Sequence, residues 1–203
     1  MAEPILPAFL DLVDARRGHF QLESGHHGEL WLDLDALFAN PGRIAPFVAH
    51  LTDQLRRHAP DVICGPLLGG AFLAQLVAHA LDVEFCFTES RAADRADRLY
   101  QIRYELPRAY RGRVRGRRVA MVDDVMSAGS ALRGTYAELL AHGAVPVAAA
   151  ALLILGDVGA GFFTREHVAV EGVARGEYQL WTPDECPRCA AGQPLGDLGL
   201  PAG

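Results

Sequence analysis

Between Asp61 and Leu155 the chain alternates strand-length apolar runs with segments of helical periodicity, and this constrains the fold more than any other feature. Asp61 to Cys64 reads as a short apolar strand, GPLLGG as a turn, and Ala71 to Leu81 as a helix apolar nearly all round. Val83 to Thr88 is a second strand, Arg117 to Val122 a third, Gly129 to His142 a helix, and Val145 to Leu155 a fourth strand. Strand alternating with helix implies a parallel sheet covered on both faces, hence a Rossmann-like α/β core. Upstream, the spacing predicts a helix over residues 3–17, a strand over Glu29 to Leu34, and a helix from Pro41 to about His58. Arg91 to Arg98 is highly charged without an apolar face and reads as a mobile loop or, equally, a solvated charge run. Residues 156–203 are rich in Gly and Pro and predict only short strands in a weakly specified tail.

The stretch Val119-Ala-Met-Val-Asp-Asp-Val-Met-Ser-Ala-Gly-Ser-Ala-Leu132 carries the chemistry. An apolar strand runs into two adjacent acids, then a turn of small residues, then a helix. Ligands of open α/β sheets bind at the carboxyl ends of the strands. Ser127, Ala128, Gly129, Ser130 and Ala131 bring backbone N–H groups and hydroxyls to a helix start, where the dipole favours a phosphate. Bulky residues there would block close backbone approach. Asp123 and Asp124 suit acceptance of hydrogen bonds from ribose hydroxyls.

Charge limits how an anion can be held. Lys+Arg total 19 against 25 Asp+Glu, a net charge of −6, so no basic field draws in DNA or RNA. All nineteen cations are arginine, which excludes a Schiff base or a lysine general base. The N-terminus has no basic n-region and no apolar run reaches membrane-spanning length, so a soluble cytoplasmic protein is expected. Cys64 and Cys86 read as core residues. Cys186-Pro-Arg-Cys189 is a lone CxxC without a second pair at zinc spacing, and no metal-ligating residue is assigned.

VAMVDDVMSAGSALRG resembles the 5-phosphoribosyl-1-pyrophosphate (PRPP) motif of type I phosphoribosyltransferases. Within them the chain is most similar to orotate phosphoribosyltransferases. Supporting segments are Gly18-His-Phe-Gln-Leu-Glu-Ser-Gly25 with Trp31-Leu-Asp33, Val62-Ile-Cys-Gly-Pro-Leu-Leu-Gly-Gly70, and the ending from Trp181 through Cys189 to Leu195. The resemblance covers residues about 3–195. It implies a single domain over 1–203, with a core at about 41–155 and a small hood from about 1–40 and 156–203.

The implied reaction is displacement of pyrophosphate from PRPP by a nucleobase, in pyrimidine nucleotide biosynthesis, with Mg²⁺ carried by PRPP. The resemblance makes Asp123 and Asp124 the catalytic and ribose-binding acids. It places the pyrophosphate on Leu67, Leu68, Gly69 and Gly70, in a loop with an unusual cis peptide, and on Arg91, Arg95 and Arg103 of the mobile loop. Glu23 and Trp31 fall at the base, and a homodimer follows from the family. The pattern departs in its side chains. Gly69 stands where a lysine is common, the 89–100 loop has neither Lys nor His, Glu23 replaces a lysine, and Gly156-Asp157 replaces an Asp-Arg pair. Orotate thus lacks two of its usual cationic contacts, which keeps two alternatives open: the same reaction on another base, or a non-catalytic PRPP sensor. His26 and His27 read as substrate contacts or as exposed turn residues.

Overall fold

The structure is a computed structural model that describes residues 5–34, 37–92 and 102–196. Two sheets organise these residues. The larger has six strands in the order β5 (Ile102–Glu105), β4 (Glu84–Ala92), β3 (Val62–Pro66), β6 (Arg118–Met126), β7 (Val145–Leu155) and β8 (Ala169–Gly176). All neighbouring pairs are parallel except β4 with β5 at the edge. The smaller sheet joins β1 (Asp14–Gln21), β2 (His27–Asp33) and the two-residue β9 (Leu180–Trp181), all antiparallel.

The helices form where apolar spacing and caps agree. In α2 (Pro41–Arg56) the Asn40 side chain accepts from Gly42 N at 3.1 Å, Pro41 sits at the first turn, and Ile44, Val48, Leu51 and Leu55 form one buried stripe. Helix α3 (Gly69–Leu81) buries Leu73, Ala74, Val77 and Ala78 against the sheet. After the one-turn α4 (Arg108–Arg111), helix α5 (Ser130–Ala141) buries Leu132, Tyr136 and Leu139. At the sheet centre, Ala148 to Leu155 are all buried, the signature of a strand covered on both faces.

Taken in chain order, the parallel strands lie in the spatial sequence second, first, third, fourth, fifth. Connections therefore leave β3 and β6 in opposite directions. The gap between their carboxyl ends is the topological switch point, where such sheets place ligands.

The core strands and helices thus follow the sequence expectation. The N-terminal helix does not: α1 (Ile5–Leu10) is short, and Asp14 to Arg17 belong to β1. Pairing with the alternating β2 outweighs the local helical spacing. The main sheet also continues past residue 155 through α6 (Val158–Arg165) and β8, so residues 156–176 extend the core. Arg91 lies in β4 and pairs across to Arg103 in β5, so the loop reading does not apply to it. The rest of that loop, with Arg95 and Arg98, lies outside the described residues.

Candidate active site at the switch point

A cavity of about 590 Å³ opens at the switch point. Its floor is the end of β6. The backbone N–H of Asp124 donates to Asp123 Oδ1 at 3.0 Å, and Val125 N donates to Asp124 Oδ1 at 2.7 Å, so the strand end aims both carboxylates. Burial, the Asp124 charge and then Glu23 push Asp123 well above the ordinary carboxylate range. Burial raises Asp124 to about 6, although two backbone N–H groups oppose the shift.

Facing the acids is the GPLLGG turn. Its Leu67–Leu68 peptide is cis, as the resemblance implies. Leu67 N donates to Thr88 O at 2.9 Å, which holds the turn against β4. Side chains have little room at the glycines of this turn. A Cβ on Gly69 would overlap Asp124 Oδ2, and one on Gly70 would meet Pro66 Cδ at 2.6 Å and Asp123 Oδ1 at 2.8 Å. The carboxylate of Asp124 fills the space in which a residue-69 side chain would begin.

The third wall is the start of α5. Gly129 has φ +72°, a conformation that favours glycine, and the first N–H groups of the helix have no intrahelical acceptor. Ser127, Gly129, Ser130 and Ala131 line the cavity. Ala128 is buried, so only its backbone can serve a ligand. Gly159 of α6 comes close behind this turn: its N–H donates to Ser127 O at 2.9 Å, and a Cβ there would meet that oxygen at 2.7 Å.

Glu23 and Trp31 line the opposite end. Tyr104, from the antiparallel edge strand, donates its hydroxyl to Glu23 Oε1 at 2.7 Å, and its ring lies over Gly134 of α5. The Tyr104 hydroxyl is pushed far up by burial and by Glu23. Tyr178 completes this wall by donating to Leu30 O at 3.0 Å. Gly156 has φ +64°, and a Cβ there would meet Tyr178 O at 2.6 Å, so the backbone strongly disfavours any side chain at 156.

The structure thus brings Asp123, Asp124, Leu67, Leu68, Gly69, Glu23, Trp31 and most of the 127–131 turn around one cavity. It does not bring Arg91 or Arg103 there. Arg91 pairs with Glu89 at 2.6 Å, and Arg103 opens onto a separate groove with Arg133 and Glu138. Among the described residues, the lining carries three carboxylates and no side-chain cation. His26 and His27 are buried, so the exposed-turn reading does not hold, and neither lines the cavity. Tyr104 and Tyr178 escaped the sequence reading because nothing local marks a tyrosine beyond a charged loop or within a Gly-rich tail.

Residues 34–181 match the phosphoribosyl transferase domain family. The chain is 30% identical over 199 residues to the orotate phosphoribosyltransferase of Heliobacterium modesticaldum, covering 95% of this chain and 94% of that one. It is 27% identical over 195 residues to that of Caldanaerobacter subterraneus, with the same coverage of 95% and 94%. Among solved structures, an orotate phosphoribosyltransferase from Aeropyrum pernix superposes with a TM-score of 0.64 at 20% identity, over 84% of this chain and 93% of that one. An adenine phosphoribosyl transferase from Trypanosoma brucei gives 0.66 at 17% identity, over 85% and 80%. At these identities the structural likeness speaks for the fold alone.

Proposed function

The chain belongs to the phosphoribosyl transferase domain family, and on that footing we propose that it joins a nucleobase to the ribose 5-phosphate of PRPP with release of pyrophosphate. Orotate is the proposed base, by analogy with the curated relatives, which makes the reaction a step of pyrimidine nucleotide synthesis. One observation carries the reading: two acids, a glycine turn and a helix start converge on a single cavity at the switch point.

In this reading the 5-phosphate sits on the first N–H groups of α5, against Ser127, Gly129, Ser130 and Ala131, with the Ala128 backbone beside them. The pyrophosphate lies along Leu67 to Gly70. Asp123 and Asp124 accept hydrogen bonds from the ribose 2′- and 3′-hydroxyls, and their charge stabilises the ring as positive charge develops at C1. The base nitrogen forms its bond to C1 as the C1–oxygen bond to pyrophosphate breaks, the oxygen leaves with the electron pair, and the proton of the base nitrogen is released to solvent. Glu23 and Trp31 border the base.

Mg²⁺ fits this site by its donor chemistry, since three carboxylates are hard oxygen ligands and would repel a bare polyanion. When bound with PRPP, the ion neutralises the leaving pyrophosphate. The protein residues hold ribose, phosphate and base around it. Arg91, Arg95 and Arg103 remain proposed pyrophosphate ligands, and for Arg91 and Arg103 this requires the β4–β5 edge to shift toward the cavity.

We treat residues 1–203 as one domain that works as a homodimer, consistent with exposed Leu68 and Phe72 beside the cavity. Free Cys64, Cys86, Cys186 and Cys189 suit the reducing cytoplasm. No helix among the described residues is long and apolar enough to cross a membrane. PRPP and a base, rather than nucleic acid, are the partners that a net charge of −6 favours.

A second reading has its own observation. Glu23, held by Tyr104, and the side-chain-free Gly156 favour a neutral, donor-rich base over an anion. The test is pyrophosphate release from PRPP and Mg²⁺ across a panel of bases. Turnover with orotate supports the first reading, and turnover with another base alone supports the second. PRPP binding without turnover on any base makes the protein a PRPP sensor.

A further inference from the structure

Away from the cavity, β1, β2 and the C-terminal segment bring four metal-ligand side chains together. His19 lies on β1, His27 opens β2, Cys186 is the N-cap of the one-turn α7 (Pro187–Ala190), and Cys189 lies within it. One donor atom from each falls within 4.8 Å of all the others. His19 Nε2 is 3.0 Å from His27 Nδ1 and 3.4 Å from Cys186 Sγ. Cys189 Sγ is 3.8 Å from His19 Nε2 and 3.3 Å from His27 Nδ1. A tetrahedron with Zn–N of about 2.0–2.1 Å and Zn–S of about 2.3 Å has N–N, N–S and S–S edges of about 3.3, 3.5 and 3.8 Å. The observed separations scatter around those edges.

A second observation points the same way. The other ring nitrogen of His19, Nδ1, lies 2.8 Å from the backbone carbonyl of Gln193, which can only accept a hydrogen bond. Nδ1 therefore carries the proton, and Nε2 presents its lone pair to the cluster. This is the outer-shell arrangement that orients a metal-bound imidazole. Both cysteines are free thiols, and His19, His27 and Cys186 are buried.

We propose that His19, His27, Cys186 and Cys189 form a closed tetrahedral zinc site that staples the C-terminal segment to the β1–β2 hairpin. Two thiolates and two imidazoles are the donor set of structural zinc, and four protein ligands leave no open position for water or substrate. On binding, the two thiols each release a proton to solvent, so the 2+ ion and two thiolates make a neutral unit that can stay buried. The sequence alone hides the site, because Cys-x₂-Cys pairs with two histidines more than 150 positions away. Its effect reaches the cavity through β1 and β2, which continue into Gln21, Glu23 and Trp31 on the cavity wall.

The test uses the full-length chain, stripped of metal and titrated with Co²⁺ and then Zn²⁺. The expected result is about one ion per chain, with the visible bands of tetrahedral cobalt and a near-ultraviolet thiolate charge-transfer band that zinc abolishes. Cobalt held by the carboxylates of the PRPP cavity would be octahedral and lack the thiolate band, so the proposal stands or falls apart from the proposed reaction. Cys189→Ser should weaken zinc binding by more than the roughly 10–100-fold that loss of an outer-shell partner costs. Cys189→His should retain the ion and lose part of the charge-transfer intensity. Absence of a tetrahedral thiolate spectrum in the parent chain overturns the proposal, whatever the variants do. So does unchanged zinc affinity in Cys189→Ser.

Discussion

The carboxylate of Asp124 occupies the volume into which a side chain at Gly69 would project. A side chain at residue 69 would therefore have to displace that carboxylate. Gly69→Ala should force Asp124 aside by about an ångström and lower kcat/KM for PRPP about 10–100-fold. Steady-state kinetics with varied PRPP would check this. Equal kinetics in the two proteins would mean that Asp124 repositions freely and does not hold ribose.

Asp124 is also a reservoir of instability. Its pKa is about 6 in the folded chain, against 3.8 for the unfolded group. The native state therefore binds more protons between those values, and stability falls as pH rises through that window and stays low above it. Asp124→Asn should gain about 1–2 kcal/mol at pH 7.5, below the full linkage value because both acids are partly open to water. The gain should vanish below about pH 4. Denaturant melts at both pH values would show it. The same variant should lose activity about 10²–10³-fold if the carboxylate stabilises the ribose cation.

Catalysis should report the same titration with the opposite preference. Charged acids are the forms that accept hydroxyl protons, so kcat/KM for PRPP should fall as pH drops through about 6. The Asp123–Asp124 pair sets that limb jointly. A profile flat from pH 5 to 8 would separate these acids from the rate.

Selectivity between bases should rest on the Tyr104–Glu23 hydrogen bond of 2.7 Å. Glu23→Gln removes one negative charge from the base end and should raise kcat/KM for orotate about tenfold relative to a neutral base. Tyr104→Phe should cost about 1 kcal/mol of stability and raise KM for the base more than KM for PRPP. Competition between two bases at fixed PRPP would read the ratio directly.

Gly156 makes a purely structural prediction. With φ +64° and Tyr178 O in the path of a Cβ, Gly156→Ala should cost about 1–3 kcal/mol in a denaturant melt. Introducing a cation by Gly156→Arg should therefore damage folding before it helps an anionic base.

The half of the site built from one continuous stretch was legible in the sequence. Val119 to Leu132 encodes a strand, its two acids, a small-residue turn and a helix start in order, and local physics suffices to read them. The Leu67–Gly70 turn was legible for the same reason. What escaped depends on contacts between distant segments. Tyr104 reaches Glu23 across 81 positions, and Tyr178 reaches Leu30 across 148. The helical spacing of the N-terminal segment was real but lost to strand pairing between Asp14–Gln21 and His27–Asp33. Arg91 and Arg103 were assigned to the pyrophosphate through the family resemblance, and in the structure they sit on the paired edge strands, outside the lining of the cavity.

The small sheet that walls the cavity draws its third strand, Leu180–Trp181, and the clasp around His19 from the last part of the chain. During synthesis the acids, the glycine turn and the helix start emerge from the ribosome well before that strand exists. The wall built from β6, the glycine turn and the start of α5 can therefore fold first, while the wall built on the small sheet waits for Leu180–Trp181. A chain cut short before Leu180 would keep all six strands of the larger sheet yet lack the third strand of the small one, so on the proposed reading such a truncation should bind phosphate without selecting a base.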